Sequence, residues 1–149
     1  MLSSTTRIKR PAADVFEYAT DPARFWEWQH SATRGHYEGE PRLGGTCVDV
    51  RRVMGGQRES RAEISEYDPP TRWATRGLDG PIRANVGVTV EPLSSDESRV
   101  TIELDFVGVG VGRLLAPMVV WRARQEMPQN MAQLKRRLES GDQQLSGEP

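Results

Sequence analysis

Histidine is the side chain best suited to move a proton at neutral pH, and the chain has two, His30 and His36. Neither has a nucleophile or a carboxylate at a spacing that indicates a catalytic dyad, so tertiary contacts would have to supply a partner. His30 follows a predicted short helix and is the catalytic candidate that the sequence offers. The alternative is that both histidines are solvated loop residues.

The spacing of the polar residues indicates neither a metal site nor a nucleotide site. No cysteine and histidine cluster has metal-ligand spacing, and the glycines of segment 108–112 do not match GxGxxG. We therefore predict no metal and no cofactor, and interpret segment 108–112 as a flexible joint, with gating of a cavity as the alternative. The single cysteine, Cys47, lies in a predicted strand and is interpreted as a small apolar filler.

Composition limits the partners and the compartment. The 20 basic and 21 acidic residues give a net charge of -1, which offers no reason to expect nucleic acid. The N-terminal segment lacks an apolar signal core, and no apolar run approaches the roughly 20 residues of a membrane span. With one cysteine and no internal disulfide, these features predict a reduced, cytoplasmic setting. Whether the protein forms a homodimer is left open.

The pattern of apolar residues predicts one α+β domain over residues 1–140, followed by a disordered tail over residues 141–149. A first strand leads into two short helices, whose starts are marked by Pro11 and by Asp21 before a proline. Apolar and polar residues then alternate to about residue 107, which predicts an antiparallel sheet with one dry face. A long C-terminal helix is predicted to cover that face.

The predicted C-terminal helix spans about residues 113–139. Pro128 predicts a kink within it, and Ser140-Gly141 predicts its end. Helical spacing predicts which of its residues form the stripe that covers the dry face of the sheet. The members of the stripe are Leu115, Met118, Val119, Arg122, Met127, Met131, Leu134 and Leu138.

Several ordered segments resemble a known superfamily. They are Val15-Phe16 with Asp21-Pro22 and the Trp26/Trp28 pair, Glu63-Ile64 through Trp73, Asp79 through Ala84, and Met127-Pro128 through Glu139. Together these segments resemble the START-like (SRPBCC) superfamily, in its polyketide cyclase/dehydrase and lipid-transport branch, over about residues 3–140. The resemblance implies a helix-grip fold, in which a curved antiparallel sheet of about seven strands wraps around the C-terminal helix. It also implies a deep cavity, where members bind lipids, sterols, polyketides or plant hormones and a minority catalyse cyclisation, dehydration or hydrolysis.

Small apolar side chains on a half-covered sheet either pack tightly against the helix or line a cavity. With the resemblance, we predict a cavity at the sheet centre and the N-terminal half of the helix. The predicted strand lining is Val48, Val50, Ala62, Ile64, Trp73, Thr75, Val86, Val88 and Leu104. The predicted helical lining is Trp26, Trp28, Leu115, Met118, Trp121 and Arg122. The same alternation turns Glu66 inward. It turns Asp49, Arg51, Arg61 and Glu63 outward, where they are interpreted as cross-strand charge pairs.

Three functions remain as hypotheses. The first is non-catalytic binding or carriage of a small hydrophobic molecule of lipid, polyketide or aromatic type. The alternative is a polyketide aromatase/cyclase or dehydratase that acts in the same cavity. A third is a protein-interaction module that uses the outer face of the sheet. The absence of an evident acid/base pair favours the first, and two bonded titratable groups inside the cavity would favour the second.

Overall fold

The computed structural model of the protein describes residues 1–53 and 55–146. Within them the chain forms seven strands, two α-helices and one 3-10 helix, each separated by short turns. In chain order these are β1 (Leu2–Ile8), α1 (Ala12–Ala19), the 3-10 helix (Pro22–Glu27), β2 (Ala32–Glu38), β3 (Thr46–Val53), β4 (Gly56–Asp68), β5 (Arg72–Gly77), β6 (Ile82–Pro92), β7 (Ser98–Gly108) and α2 (Gly112–Ser146).

The seven strands form one antiparallel sheet in the order β1-β7-β6-β5-β4-β3-β2. The first strand therefore pairs with the last, with Leu2 opposite Leu104. The three helices pack on one side of the sheet, which we call the inner face; the other side is the outer face. The predicted α+β helix-grip fold, with its long C-terminal helix and two short helices after the first strand, is confirmed.

The two short helices begin where the sequence predicts. Pro11 precedes α1, and the Asp21 side chain accepts a hydrogen bond of 3.0 Å from the Ala23 N–H at the start of the 3-10 helix. Their apolar side chains, among them Val15 and Phe25, join the core that lies between the inner face and the second half of α2. They close one end of the layer between sheet and helix.

Helix α2 is longer than the sequence indicates. It continues through Pro128 and past Ser140-Gly141 to Ser146, so the predicted end at Ser140-Gly141 is wrong. A glycine in a helix interior costs only about 1 kcal/mol relative to alanine and does not by itself end a helix. Of the predicted tail, residues 147–149 lie outside the described residues. No helix in the described part of the chain is both long and apolar enough to cross a membrane.

The two halves of α2 differ in what faces the sheet. In the second half, Leu134 and its helical neighbours are buried in the core as predicted. In the first half, Val120 and Ala123 pack against the core, whereas Met118 and Trp121 are 55% and 60% exposed. The prediction that Met118, Trp121 and Arg122 face inward is therefore wrong.

Helix geometry explains this error. Nine residues separate Met118 from the buried Met127, which corresponds to a rotation of about 900°, so the two side chains point in opposite directions. Val120 is seven residues from Met127 and returns to nearly the same side. Because apolar residues occur on both sides of this half-helix, the sequence pattern alone did not select the inner one.

The register of β3 reverses its predicted orientation. Cys47 lies opposite Ala62, and Val48 lies opposite Arg61. Since Ala62 and its strand neighbour Ile64 share the inner face with Thr75 on β5, Cys47, Asp49 and Arg51 face inward. Val48 and Val50 face outward, contrary to prediction.

Val48 is nevertheless only 2% exposed. Arg61 on β4 forms an ion pair with Glu38 on β2, and these two strands flank β3 on either side. The pair therefore crosses β3 on the face where Val48 lies. Long charged side chains can bury an apolar residue beneath their stems in this way. Val48 is therefore buried beneath charged side chains on the outer face, and not by contact with the core.

A β-bulge between Ile64 and Glu66 explains a further difference. The extra residue shifts the alternation, so Glu66 lies opposite Ala74 on the outer face and pairs with Arg72 at 2.8 Å. The predicted inward orientation of Glu66 is wrong for this reason. Beyond the bulge, Tyr67 faces inward opposite Trp73.

The orientation of α2 can be tested by truncating one side chain on each side. Leu134→Ala should lower the free energy of unfolding by about 2–5 kcal/mol, because it opens a cavity in the core. Met118→Ala should change it by no more than about 0.5 kcal/mol, because the side chain is exposed. Urea denaturation of both variants measures these values. A larger loss for Met118→Ala than for Leu134→Ala would contradict the orientation of the helix.

Candidate ligand-binding site

A row of small residues crosses the middle of the inner face from β3 to β6. Cys47 lies opposite Ala62, which lies opposite Gly77, and Gly77 packs against the backbone of Ala84. Phe106 lies opposite Ala84 and ends the row. We call Cys47, Ala62, Gly77 and Ala84 the small-residue row. Because the side chains on these four neighbouring strands are short, they leave a shallow depression in the inner face of the sheet.

Apolar side chains beside this row are only partly buried. They extend from the sheet and from the first half of α2 and pack against the core without being sealed into it. We call this set the half-buried lining: Tyr67, Val86, Leu104, Phe106, Val120 and Ala123. The buried residues Ile64, Thr75 and Trp73 lie beside it on the same face. The layer is thus closed at the α1 end and looser towards the start of α2.

Most of the predicted strand lining lies on this inner face. Its members there are Ala62, Ile64, Trp73, Thr75, Val86, Val88 and Leu104, as their pairing requires. From the first half of α2, Leu115 is half-buried. That these side chains contact a ligand stays a prediction.

Aromatic rings form the closed end of the layer. Phe25 packs edge-to-face between Trp28 and Trp73, with ring centroids 6.0 Å and 6.4 Å apart. Trp28 belongs to the core, whereas Trp26 points outward and is largely exposed. The two tryptophans, which are two residues apart, therefore point in different directions.

An ion pair lies on the inner face at one side of the small-residue row. Asp49 is two residues from Cys47 on β3, and its Oδ2 accepts a hydrogen bond of 2.6 Å from Arg51 Nε. The guanidinium also donates to Gln29 Oε1 at 2.6 Å and to Ser31 Oγ at 3.2 Å. These contacts fix its position at the junction between the 3-10 helix and β2.

The second carboxylate oxygen of Asp49 has no such partner. Asp49 Oδ1 is buried and accepts no hydrogen bond from the described residues. A buried acceptor without a donor is costly, so it is a natural point of attachment for a hydroxyl or an N–H. The predicted outward orientation of Asp49 and Arg51 is wrong. Their two-residue spacing from Cys47, interpreted as an apolar filler, is the sequence signal that puts all three on one face.

Burial raises the pKa values of two titratable side chains beside this pair. The Tyr37 hydroxyl donates to the Thr20 carbonyl oxygen, and burial raises its pKa well above the ordinary value. The pKa of Cys47 is raised to about 12, mainly by burial and to a smaller extent by the charge of Asp49. Cys47 is therefore a protonated thiol at neutral pH, in agreement with its interpretation as a filler.

His30 lies apart from these groups. It lines an open groove of about 660 Å³ between the 3-10 helix and the second half of α2, with Trp26, Arg52, Asn130 and Arg136. Its backbone N–H donates to Asn130 Oδ1 at 3.0 Å, and its imidazole has no hydrogen-bond partner among the described residues. Within these residues no three His, Cys, Asp or Glu side chains are grouped so that they could hold a metal ion.

The raised pKa of Cys47 gives a prediction for its reactivity. At about pH 8, iodoacetamide should alkylate the folded protein at least about a hundredfold more slowly than the urea-unfolded chain, because burial keeps the thiol protonated and covered. Since the folded pKa exceeds the unfolded one, the protonated thiol contributes its full stability below about pH 8, and this contribution is lost as the pH rises towards about 12. Mass spectrometry measures the rates. Equal rates in both states would contradict the inward, buried placement of Cys47.

Comparisons with known proteins agree with this fold. The sequence matches the family described as polyketide cyclase / dehydrase and lipid transport over residues 2–139. No curated protein matches the chain. Among solved structures, the chain is similar to the Zhui aromatase/cyclase from Streptomyces, with 15% identity, a TM-score of 0.74, and coverage of 93% of this chain and 92% of that one.

Two further structures are similar at the level of the fold. A START superfamily protein from Mycobacterium smegmatis has 15% identity and a TM-score of 0.74, and covers 93% of this chain and 97% of its own. The di-domain ARO/CYC protein BexL has 15% identity and a TM-score of 0.72 over 93% of this chain. This chain spans only 46% of BexL. The chain shares its fold with the START superfamily protein, and from the family match it belongs to the polyketide cyclase/dehydrase and lipid-transport family.

Proposed function

We propose that the protein binds a small hydrophobic molecule between the inner face of the sheet and the first half of α2. The observation that carries this proposal is the difference between the two ends of the layer. Near α1 the side chains are fully buried, whereas the half-buried lining beside the small-residue row stays partly exposed. Apolar surface that is concave and incompletely covered is typical of a site for an apolar ligand.

The polar groups beside the row indicate what the ligand carries besides its apolar body. Asp49 Oδ1 is a buried acceptor without a donor, and Arg51 holds the other oxygen of the same carboxylate. A hydroxyl or enol group on the ligand would donate to Asp49 Oδ1 and satisfy it. The proposed ligand is therefore an amphipathic molecule of lipid, polyketide or aromatic type.

Filling the small-residue row should block this site without unfolding the protein. Ala84→Leu and Ala62→Leu place larger side chains over the row, so each should weaken the binding of the apolar dye N-phenylnaphthylamine at least about tenfold. Dye fluorescence measures the affinity, and urea denaturation measures the stability. Ala13→Leu is the matched control, because Ala13 is exposed on α1.

The same variants distinguish a binding site from ordinary core. In a tightly packed core, the added bulk would cost about 1–3 kcal/mol of stability. In an open site, it would leave the stability close to that of Ala13→Leu. A wild-type protein that binds no dye, together with a loss of stability of this size, would contradict the proposal.

A second candidate function is catalysis of cyclisation or dehydration in the same space. The observation that favours it is the bonded pair of Asp49 and Arg51 on the inner face. The Asp49 carboxylate would remove a proton from the carbon between a ketone and a β-hydroxyl group, while guanidinium N–H groups of Arg51 stabilise the enolate oxygen. Asp49 would then return the proton to the departing hydroxide, so that water and an enone leave.

This candidate can be tested with the aldol adduct of benzaldehyde and acetone, a β-hydroxy ketone whose dehydration product absorbs in the near ultraviolet. The wild type should exceed the buffer rate, and Asp49→Asn should lower the rate at least about a hundredfold because the base is lost. Asp105→Asn, on the exposed outer face, should keep the wild-type rate. If the wild type is no faster than buffer while it binds N-phenylnaphthylamine, the protein is a carrier for such compounds and the second candidate is wrong.

A further inference from the structure

The outer side of the first half of α2 carries an uncovered apolar stripe. Val111 directly precedes α2, and Leu114, Met118 and Trp121 follow it at spacings of three, four and three residues, which continue the row along one side of the helix. Val111 and Leu114 are 71% and 85% exposed. The Leu114 N–H donates to the Val111 carbonyl oxygen at 3.1 Å, so the stripe begins with the first turn. We call these four residues the outer stripe.

The outer stripe lies opposite the side of α2 that faces the sheet. Met118 is about half a turn out of phase with the buried Met127, and the inward residues of this half-helix are Val120 and Ala123. None of the four side chains of the stripe is needed for the core. Four large apolar residues in a continuous row exceed what scattered surface residues require.

The charges near the stripe are mostly positive, and Glu126 is the first acidic residue that follows them on the helix. Segment 106–125 contains Arg113, Arg122 and Arg124 and no acidic residue. All three arginines are exposed, and none forms an ion pair with another described residue. Arg122 lies at the edge of the stripe, and Arg124 lies on the flank of the helix, where its stem can extend from the apolar surface to bulk solvent. Arg113 is seven residues before the inward Val120, so it lies towards the sheet-facing side at the exposed start of the helix.

We propose that this surface docks onto an anionic lipid bilayer, with α2 lying in the plane of the membrane. The outer stripe would enter the boundary between headgroups and acyl chains, where tryptophan is favoured. Arg122 and Arg124 would contact the anionic headgroups. The docking does not depend on what the inner face binds. Its use for ligand exchange rests on the proposed function, because the half-buried lining opens towards the same half of α2.

A second copy of the chain is a less suitable occupant of this surface. In a twofold dimer the same patch meets itself, so the arginines of one helix would face those of the other. Juxtaposed like charges oppose such an interface. An anionic bilayer supplies both the apolar phase and the opposite charge, and it needs no complementary groove.

The experiment is sedimentation of the full chain with sucrose-loaded vesicles at about 0.15 M salt. Vesicles of phosphatidylcholine alone are compared with vesicles that also contain phosphatidylserine. The wild type should bind the phosphatidylserine vesicles and remain in solution with the neutral ones. Trp121→Ala should reduce binding, and Arg122→Gln with Arg124→Gln should reduce it by about fivefold for each arginine removed. Trp26→Ala is the matched control, because it removes another exposed tryptophan, on the 3-10 helix, and should bind like the wild type.

The outcomes separate this proposal from the proposed function. Wild-type protein that stays in solution with both vesicles overturns the docking, whether or not it binds N-phenylnaphthylamine. Vesicle binding that survives Trp121→Ala and the double arginine change overturns the choice of surface. A dimer in sedimentation equilibrium that Leu114→Ser dissociates, without vesicle binding, identifies a second copy as the occupant. Vesicle binding without dye binding supports the docking and overturns the proposed binding of a hydrophobic ligand.

Discussion

The pairing register of β3, β4 and β5 decides which side chains face the helices, and the rest of the site depends on it. Because side chains alternate with a period of two, a shift of one residue would exchange the two faces of a strand. The observed register brings Cys47, Ala62 and Gly77 into one line and turns Asp49 inward beside them. The β-bulge after Ile64 then restores Tyr67 to the inner face. A low apolar surface and a bonded carboxylate therefore adjoin each other by strand geometry alone.

Helix α2 carries out two tasks with one continuous backbone. Its second half supplies Met131, Leu134 and Leu138, whose burial holds the helix to the sheet. Its first half presents the smaller Val120 and Ala123 at the equivalent positions and remains half-buried. Packing energy is thus concentrated at one end, where each large side chain is worth several kcal/mol. The other end can lie over an incompletely filled space without endangering the fold.

Much of this architecture can be predicted from the sequence, and the failures have identifiable causes. Strands β6 and β7 alternate cleanly, so their inner residues, such as Val86 and Leu104, were predicted correctly. Strand β3 carries small or apolar residues on both faces, and Val48 is buried beneath an ion pair that forms only when three strands assemble. The orientation of Asp49 depends on long-range pairing, which local patterns do not determine. The exposure of Met118 follows from its nine-residue spacing to the buried Met127, but only once Met127 is known to face the sheet.

Pairing between β1 and β7 has a consequence for how the domain is assembled. Ile8 meets Ser98, so the first strand made has no sheet partner until nearly the whole sheet sequence exists. Contacts between such distant segments carry a large loop-closure entropy and slow the search for the native state. Until then, β6 has an open edge that can pair with another chain. The interval between synthesis of β6 and docking of β7 is therefore when self-association competes most strongly with folding.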